Sequence, residues 1–174
     1  MADTSEPIRL VYSTGGTGTR SGWLIYASSS AFQFWASSVT NAWNIASGKS
    51  LGSRTNGAWV HLAVTREGGT FRCFQNGTQT STFTSDKSLY TDPDEQIAIG
   101  GWAGSGNIQY LNGYIDDLRI IKGHAKYTAN FTAPTSAHGH VSIEETSTTS
   151  ETYSDTKFLS GVWNLNDAES KMQD

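Results

Sequence analysis

Asp116 and Asp117 are the side chains of this sequence best suited by type to acid–base chemistry. Cleavage of a glycosidic bond needs two carboxyl groups facing each other across one sugar. The stretch from Gly113 to Ile121 reads as a strand, on which adjacent residues point to opposite faces. The two aspartates are therefore not expected to flank one ring. The plainer reading has one of them ordering backbone or pairing with Arg119 or His61, while the other meets solvent. Asp92, Asp94 and Glu95 form a second acidic group. Calcium takes several oxygen ligands of this kind, but the Asp-x-Asp-x-Asp-Gly regularity of a dedicated loop is missing. Solvated turn acids are the plainer reading there, and calcium is the one cofactor left open.

Other reactive types are isolated. His138-Gly-His140 has no Cys or third His nearby to complete a zinc site. His61 lies in an apolar strand and reads as a packed core histidine. Cys73, the single cysteine, has no internal disulfide partner and no base partner visible in the sequence. The loop STGGTGTRSG lacks the Gly-Lys-Ser/Thr ending of a phosphate loop, and no Gly-x-Ser-x-Gly elbow occurs. Asn76-Gly-Thr78 and Asn130-Phe-Thr132 match N-glycosylation acceptors, a match with little weight where no signal peptide is recognised.

Aromatic residues carry more. Six Trp and seven Tyr are many for 174 residues, and sugar sites combine an aromatic face with a few polar groups. Trp59 opens a strand and Trp35 ends one, so both read as core. Trp102 instead enters the loop WAGSGNIQY, with Asn107 and Tyr110 close behind it. Trp102, Asn107 and Tyr110, with Trp43, form the candidate glycan platform. The competing reading of Trp102 is a cap on the domain end or a subunit contact.

The elements that position these residues are strands. Ile8–Tyr12, Gly22–Ala27 and Ala31–Ser37 read as the first three, with a hairpin turn at Ser28–Ser30. Asn41–Ile45 is a weaker strand, and ASGKSLGSRTNG reads as loop. Trp59–Arg66 and Thr70–Gln75 flank Glu67-Gly68-Gly69, and Asn76-Gly77 is the strongest short hairpin signal, leading to a strand at Thr78–Thr84. An acidic loop, Ile97–Gly101, the Trp102 loop and Gly113–Ile121 follow. Lys122–Pro134 reads as a coiled segment pinning Tyr127 and Phe131 onto the body. No helical periodicity of useful length occurs. Short strands between turn signals predict an all-β antiparallel β-sandwich or jelly roll.

Four motifs in order, WVHLAVTREGGTFRCFQNG from Trp59, IAIGG, GYIDDLRI and KYTANFTAP, resemble a laminin-G-like (concanavalin A-like) jelly roll. The likeness is greatest to the version in tailed-phage structural proteins and covers roughly Pro7 to Pro134. The ending SDTKFLSGVWNLND is similar to C-terminal peptides of phage virion proteins. The fold hosts lectins, glycosidases, adhesion modules and capsid parts, so the resemblance fixes architecture more firmly than activity. Glucanases of this architecture carry alternating acids along one strand, and no Glu-x-Asp-x-x-Glu run occurs here. Relatives usually place several dozen strand-rich residues ahead of the part matching Ile8–Tyr12. The expectation is that a segment around Val141–Ile143 or Phe158–Leu165, or a neighbouring subunit, supplies a strand in their place.

Composition agrees. Hydrophobic residues make up 36% and charged residues only 16%, while Ser and Thr supply about a quarter of the chain, a balance suited to short strands and many turns. A net charge of −4 without a basic cluster argues against nucleic acid. No apolar run reaches membrane-spanning length, and MADTSEPIRL is no secretory signal. The sequence divides into a sandwich over residues 1–137, a Ser/Thr-rich linker or extra strand over 138–156, and a C-terminal peptide over 157–174. That peptide reads as a flexible tail whose Phe158, Val162, Trp163 and Leu165 could dock on a partner. The implied protein is a non-enzymatic virion component, assembled in a bacterial cytoplasm and acting outside it. Its partners would be other virion proteins or, as the alternative, host-surface glycan, with self-association left open.

Overall fold

The computed structural model describes residues 8–14, 21–91, 96–104, 107–137 and 157–161. Twelve strands are formed, with no helix among the described residues. They are β1 (Ile8–Thr14), β2 (Trp23–Ala27), β3 (Ala31–Ala36), β4 (Ala46–Ser53), β5 (Leu62–Glu67) and β6 (Thr70–Gln75). The rest are β7 (Thr78–Thr84), β8 (Gln96–Ile99), β9 (Gly101–Gly104), β10 (Asn107–Tyr110), β11 (Leu118–Lys122) and β12 (Lys157–Gly161). One five-stranded sheet runs β4-β3-β2-β1-β8, a second runs β11-β12-β5-β6-β7, and β9 and β10 form a separate hairpin. All pairings are antiparallel. The fold is the all-β sandwich expected from the strand and turn pattern.

Period-two alternation decides which side chains enter the core. On β2 and β3, Trp23, Ile25, Ala27, Phe32, Phe34 and Ala36 point inward. From the facing sheet come Leu62 and Val64 of β5 and Phe71 and Cys73 of β6. Phe34 and Phe71 meet across the interior with ring centroids 6.2 Å apart. The turn between β2 and β3 closes where the Ser28 N–H donates to the Ala31 carbonyl at 2.8 Å and Ser28 Oγ accepts from the Ala31 N–H at 3.0 Å. Burial pushes the Cys73 thiol up to about 11, against the pull of a Ser81 hydrogen bond and of Lys49. At pH 8 about one such thiol in a thousand is ionised. Native protein should therefore react with a disulfide reagent about 100-fold more slowly than unfolded chain, measured by absorbance of the released thiolate; equal rates would show Cys73 to be accessible.

The outer face of the second sheet is covered by the segment after β11. Tyr127 and Phe131 stack on each other at 3.5 Å and meet Phe74 edge-on. Thr65 Oγ1, buried, donates to the Tyr127 carbonyl at 2.7 Å. The expected coiled segment that pins its aromatics is thus present. His61 is buried beside it, edge-on to both rings.

Several strand boundaries differ from the sequence reading. Asn41–Ile45 is a turn, with Asn41 at φ 61°, and the following ASGKSLGS is β4 rather than loop. The fifth strand begins at Leu62, not Trp59. The Trp102 loop is a hairpin, β9–β10. Asp116 and Asp117 precede β11 instead of lying on it, and Asp117 takes φ 52°. Finally, β12 enters the second sheet between β5 and β11. A segment within Phe158–Leu165 was one of the sources expected for an additional strand.

Candidate functional site

With the outer face of the second sheet covered by the segment after β11, the outer face of the first sheet carries a patterned set of side chains. Directly opposite residues in an antiparallel pair share a face, so the register defines two rows across it. One row runs Tyr12 (β1), Leu24 (β2), Trp35 (β3). The next runs Arg9, Tyr26, Gln33 and Ser50 of β4. A bulge at Leu10 lets Arg9 and Tyr12 share this face while Ile8 and Val11 enter the core. Leu24 is buried beneath the rows, whereas Arg9, Tyr12, Tyr26, Gln33 and Trp35 are half-buried.

These side chains hold one another. The Arg9 guanidinium lies 5.4 Å from the Tyr12 ring centroid. Burial lowers the Arg9 pKa from its usual value, with Tyr12 and Tyr26 opposing, and burial raises that of the Tyr12 phenol against the pull of Arg9. Trp35 Nε1–H donates to Gln33 Oε1 at 3.3 Å. The Trp35 ring rests on Gly48 of β4 and meets Trp43 edge-on at 5.9 Å. Trp43 is carried by the turn between β3 and β4, which is tied by the Ser38 N–H donating to Asn44 Oδ1 at 2.8 Å and by Ser37 Oγ donating to the Val39 carbonyl at 2.7 Å. Flat aromatic faces beside a guanidinium, an amide and two phenols can stack on the apolar face of a ring and hydrogen-bond its hydroxyls. The residues named in these two rows include no carboxylate.

A family model for the concanavalin A-like lectin/glucanases superfamily matches residues 1–126. The chain belongs to that superfamily. No curated protein and no solved structure matches it. Membership agrees with the two-sheet sandwich and brings the alternatives of carbohydrate binding or a structural role.

Within this concanavalin A-like sandwich the platform residues named from the sequence fall in two places. Trp102 lies on β9 opposite Gln109, Asn107 begins β10, and Tyr110 ends it with 69% of its surface exposed. The hairpin follows β8, the strand at one edge of the first sheet. Trp43 is on the other side of that sheet, against Trp35. Asp92, Asp94 and Glu95 lie outside the described residues, as do His138 and His140. Among the described residues no cluster of His, Cys, Asp or Glu could hold a metal ion. Phe158 is on β12, opposite Ile121, and Val162, Trp163 and Leu165 lie outside the described residues. Asn76 and Asn130 accept backbone N–H bonds from His61 and Gln79, each at 2.9 Å, so both potential glycosylation asparagines have structural roles.

Two tryptophans expected in the core are elsewhere. Trp35 faces outward because its neighbours Phe34 and Ala36 take the inward positions. Trp59 precedes β5 and is 52% exposed, paired at 6.4 Å with Tyr114, itself 58% exposed. Asp116 is exposed and Asp117 half-buried. Asp117 and Arg119 both act on Tyr127, whose pKa is raised first by burial, then lowered by Arg119 and raised by Asp117. Their surroundings are those of an aromatic anchor. Arg9, Tyr12, Tyr26 and Gln33 were not singled out from the sequence. The available signal was the alternation of IYA and AFQFWA, which already assigns Tyr26, Gln33 and Trp35 to one face.

Proposed function

We propose that this chain is a non-enzymatic adhesion module of a phage virion that holds host-surface glycan on the outer face of its first sheet. The observation carrying this reading is the pair of rows made by Arg9, Tyr12, Tyr26, Gln33 and Trp35, with Trp43 at their end. Aromatic and hydrogen-bonding side chains at adjoining register positions are what a sugar ring requires, and no carboxylate belongs to the rows. The virion setting is supported by the resemblance of the four motifs and of the SDTKFLSGVWNLND ending to tailed-phage structural proteins. Expected on a glycan array is binding that Trp43→Ala weakens about five- to tenfold, since one lost stacking contact is worth roughly 1–1.5 kcal/mol. Trp43 is not among the buried core residues, so the melting temperature should change little. Binding unchanged in both Trp43→Ala and Tyr26→Ala would remove the site, and release of reducing ends from a bound polysaccharide would remove the non-enzymatic reading.

A second reading has its own observation. Trp59 and Tyr114 form an exposed aromatic pair on the loops before β5 and β11, the type of side chain that anchors protein–protein contacts. It favours a virion structural component acting through other virion proteins. Absence of any glycan binding, together with retention on assembled particles that Trp59→Ala abolishes, would select this second reading.

A further inference from the structure

The chain leaves β12 in the direction of the exposed aromatic pair. β12 is antiparallel to both of its neighbours, and its last residue, Gly161, is opposite Leu62 of β5 and Leu118 of β11. Beyond Gly161 the strand therefore points between the segments that lead into β5 and β11. Trp59 is three residues before Leu62, and Tyr114 is four before Leu118. At about 3.3 Å per extended residue, a chain that keeps this direction comes level with the pair after three or four residues. Those residues are Val162, Trp163, Asn164 and Leu165, which lie outside the described residues.

Trp59 and Tyr114 border that path from both sides. Val60 packs against the core and Ile115 is buried in it, which anchors the backbone next to each aromatic. β5 and β11 stand two strand spacings apart with β12 between them, about 10 Å. The two rings are only 6.4 Å apart, so they reach toward each other across the lane that continues β12. Both are more than half exposed. Two neighbouring large aromatics open to water are apolar surface of the kind that a contact ordinarily covers.

We propose that Val162–Leu165 of the same chain docks on the Trp59–Tyr114 pair. Three of these four residues are apolar, and Trp163 brings a third large ring to two that are already paired. Charge agrees with this occupant. Asp116 and Asp117 follow Tyr114 closely and Arg119 lies on β11, so an acidic segment would meet like charge there. Residues 162–166, VWNLN, carry no charge, and the first acid after Gly161 is Asp167, beyond the reach needed. Gly161 already aims at the pair, so these residues arrive without a turn. A second copy or another virion protein would have to compete with a segment tethered a few residues away. The inference is independent of the glycan reading, whose rows belong to the first sheet. It makes the pair an internal contact that any virion partner would have to displace.

Disulfide trapping in the full-length chain tests it. Ala58, beside Trp59, is exposed, and the native Cys73 is buried and does not compete. Oxidised at low concentration, a chain with Ala58→Cys and Asn164→Cys should close an internal disulfide. It should do so at least about tenfold faster than the same chain carrying Tyr114→Ala, because docking adds local concentration to what the tether alone supplies. Non-reducing electrophoresis separates the internal bond from a dimer. Equal rates with and without Tyr114, or no internal bond, overturn the proposal; dimers in its place overturn it by giving the pair to a second copy. Urea midpoints supply a second measurement. Trp59→Ala and Trp163→Ala should each lower the midpoint, and the double variant should lower it no further than the larger single loss. Additive losses, or a Trp163→Ala midpoint equal to that of the unaltered chain, overturn the contact.

Discussion

A chain ending at Thr156, without β12, should lose on the order of 5 kcal/mol of stability, comparable to the whole stability of a small domain. The reason is position. β12 is an interior strand, opposite Leu118–Lys122 of β11 on one side and Leu62–Val64 of β5 on the other. Its removal leaves two ladder edges unpaired and separates β11 from the rest of its sheet. Buried backbone groups that lose their partners cost more than the bonds themselves contribute. Leu159→Pro should have a similar effect in the full chain, because proline removes a ladder donor in a central strand. Urea titration followed by tryptophan fluorescence measures both variants. A truncated chain with an unchanged midpoint would show that β12 contributes nothing to the fold, and recovery on adding a peptide of residues 155–167 would show that the strand acts by pairing.

The same strand marks the limit of what was legible in the sequence. A five-residue segment such as KFLSG, with Phe158 and Leu159 at its centre, can be recognised as strand material, but which edges receive it is settled by pairing with residues far away in the chain. The strands read to within two residues of their ends include β1, β2, β3, β6 and β7, together with the Asn76-Gly77 turn, where both residues take positive φ. β4 escaped because its ladder with β3 carries two irregularities and its apolar anchors are few, chiefly Ala46 and the fully buried Leu51. The β9–β10 hairpin escaped for a related reason, since GWAG lacks a two-residue apolar period and NIQY shows one over only four residues.

The proposed recognition surface was legible only in part, and Trp35 shows why. An aromatic at the end of a strand has the composition of a core residue, while its parity with Phe34 and Ala36 assigns it outward. Arg9 and Tyr12 are harder still. They share a face only because a bulge inserts one residue between them, and no local pattern announces it. Such a site exists as a set of register pairs across three strands. A sequence reads along strands, so it finds the members one by one without finding their neighbours.

Gly77→Ala should cost on the order of 4 kcal/mol, the largest effect expected of any single methyl group added to this fold. Gly77 has φ 80° in the turn between β6 and β7, a conformation that costs an L-residue roughly 1 kcal/mol. The larger part comes from packing. An added Cβ would fall on the carbonyl oxygen of Phe131 and press on the Ala133 nitrogen at 3.2 Å. Those are backbone atoms, and they cannot rotate aside. To make room, the segment would have to lift, breaking the 2.9 Å bond from the Phe131 N–H to the Gly77 carbonyl and drawing Phe131 off Tyr127, Phe74 and His61. Loss of one backbone bond is worth about 1 kcal/mol, and partial exposure of a packed phenylalanine about 2 kcal/mol more. Gly68→Ala supplies the control. Gly68 also has positive φ, 56°, but its added Cβ would meet nothing within 4 Å, so only the conformational cost of about 1 kcal/mol applies. Urea midpoints of the two variants separate the contributions. Equal losses would mean that the covering segment yields freely, and Tyr127 and Phe131 would then be passengers on the second sheet instead of anchors.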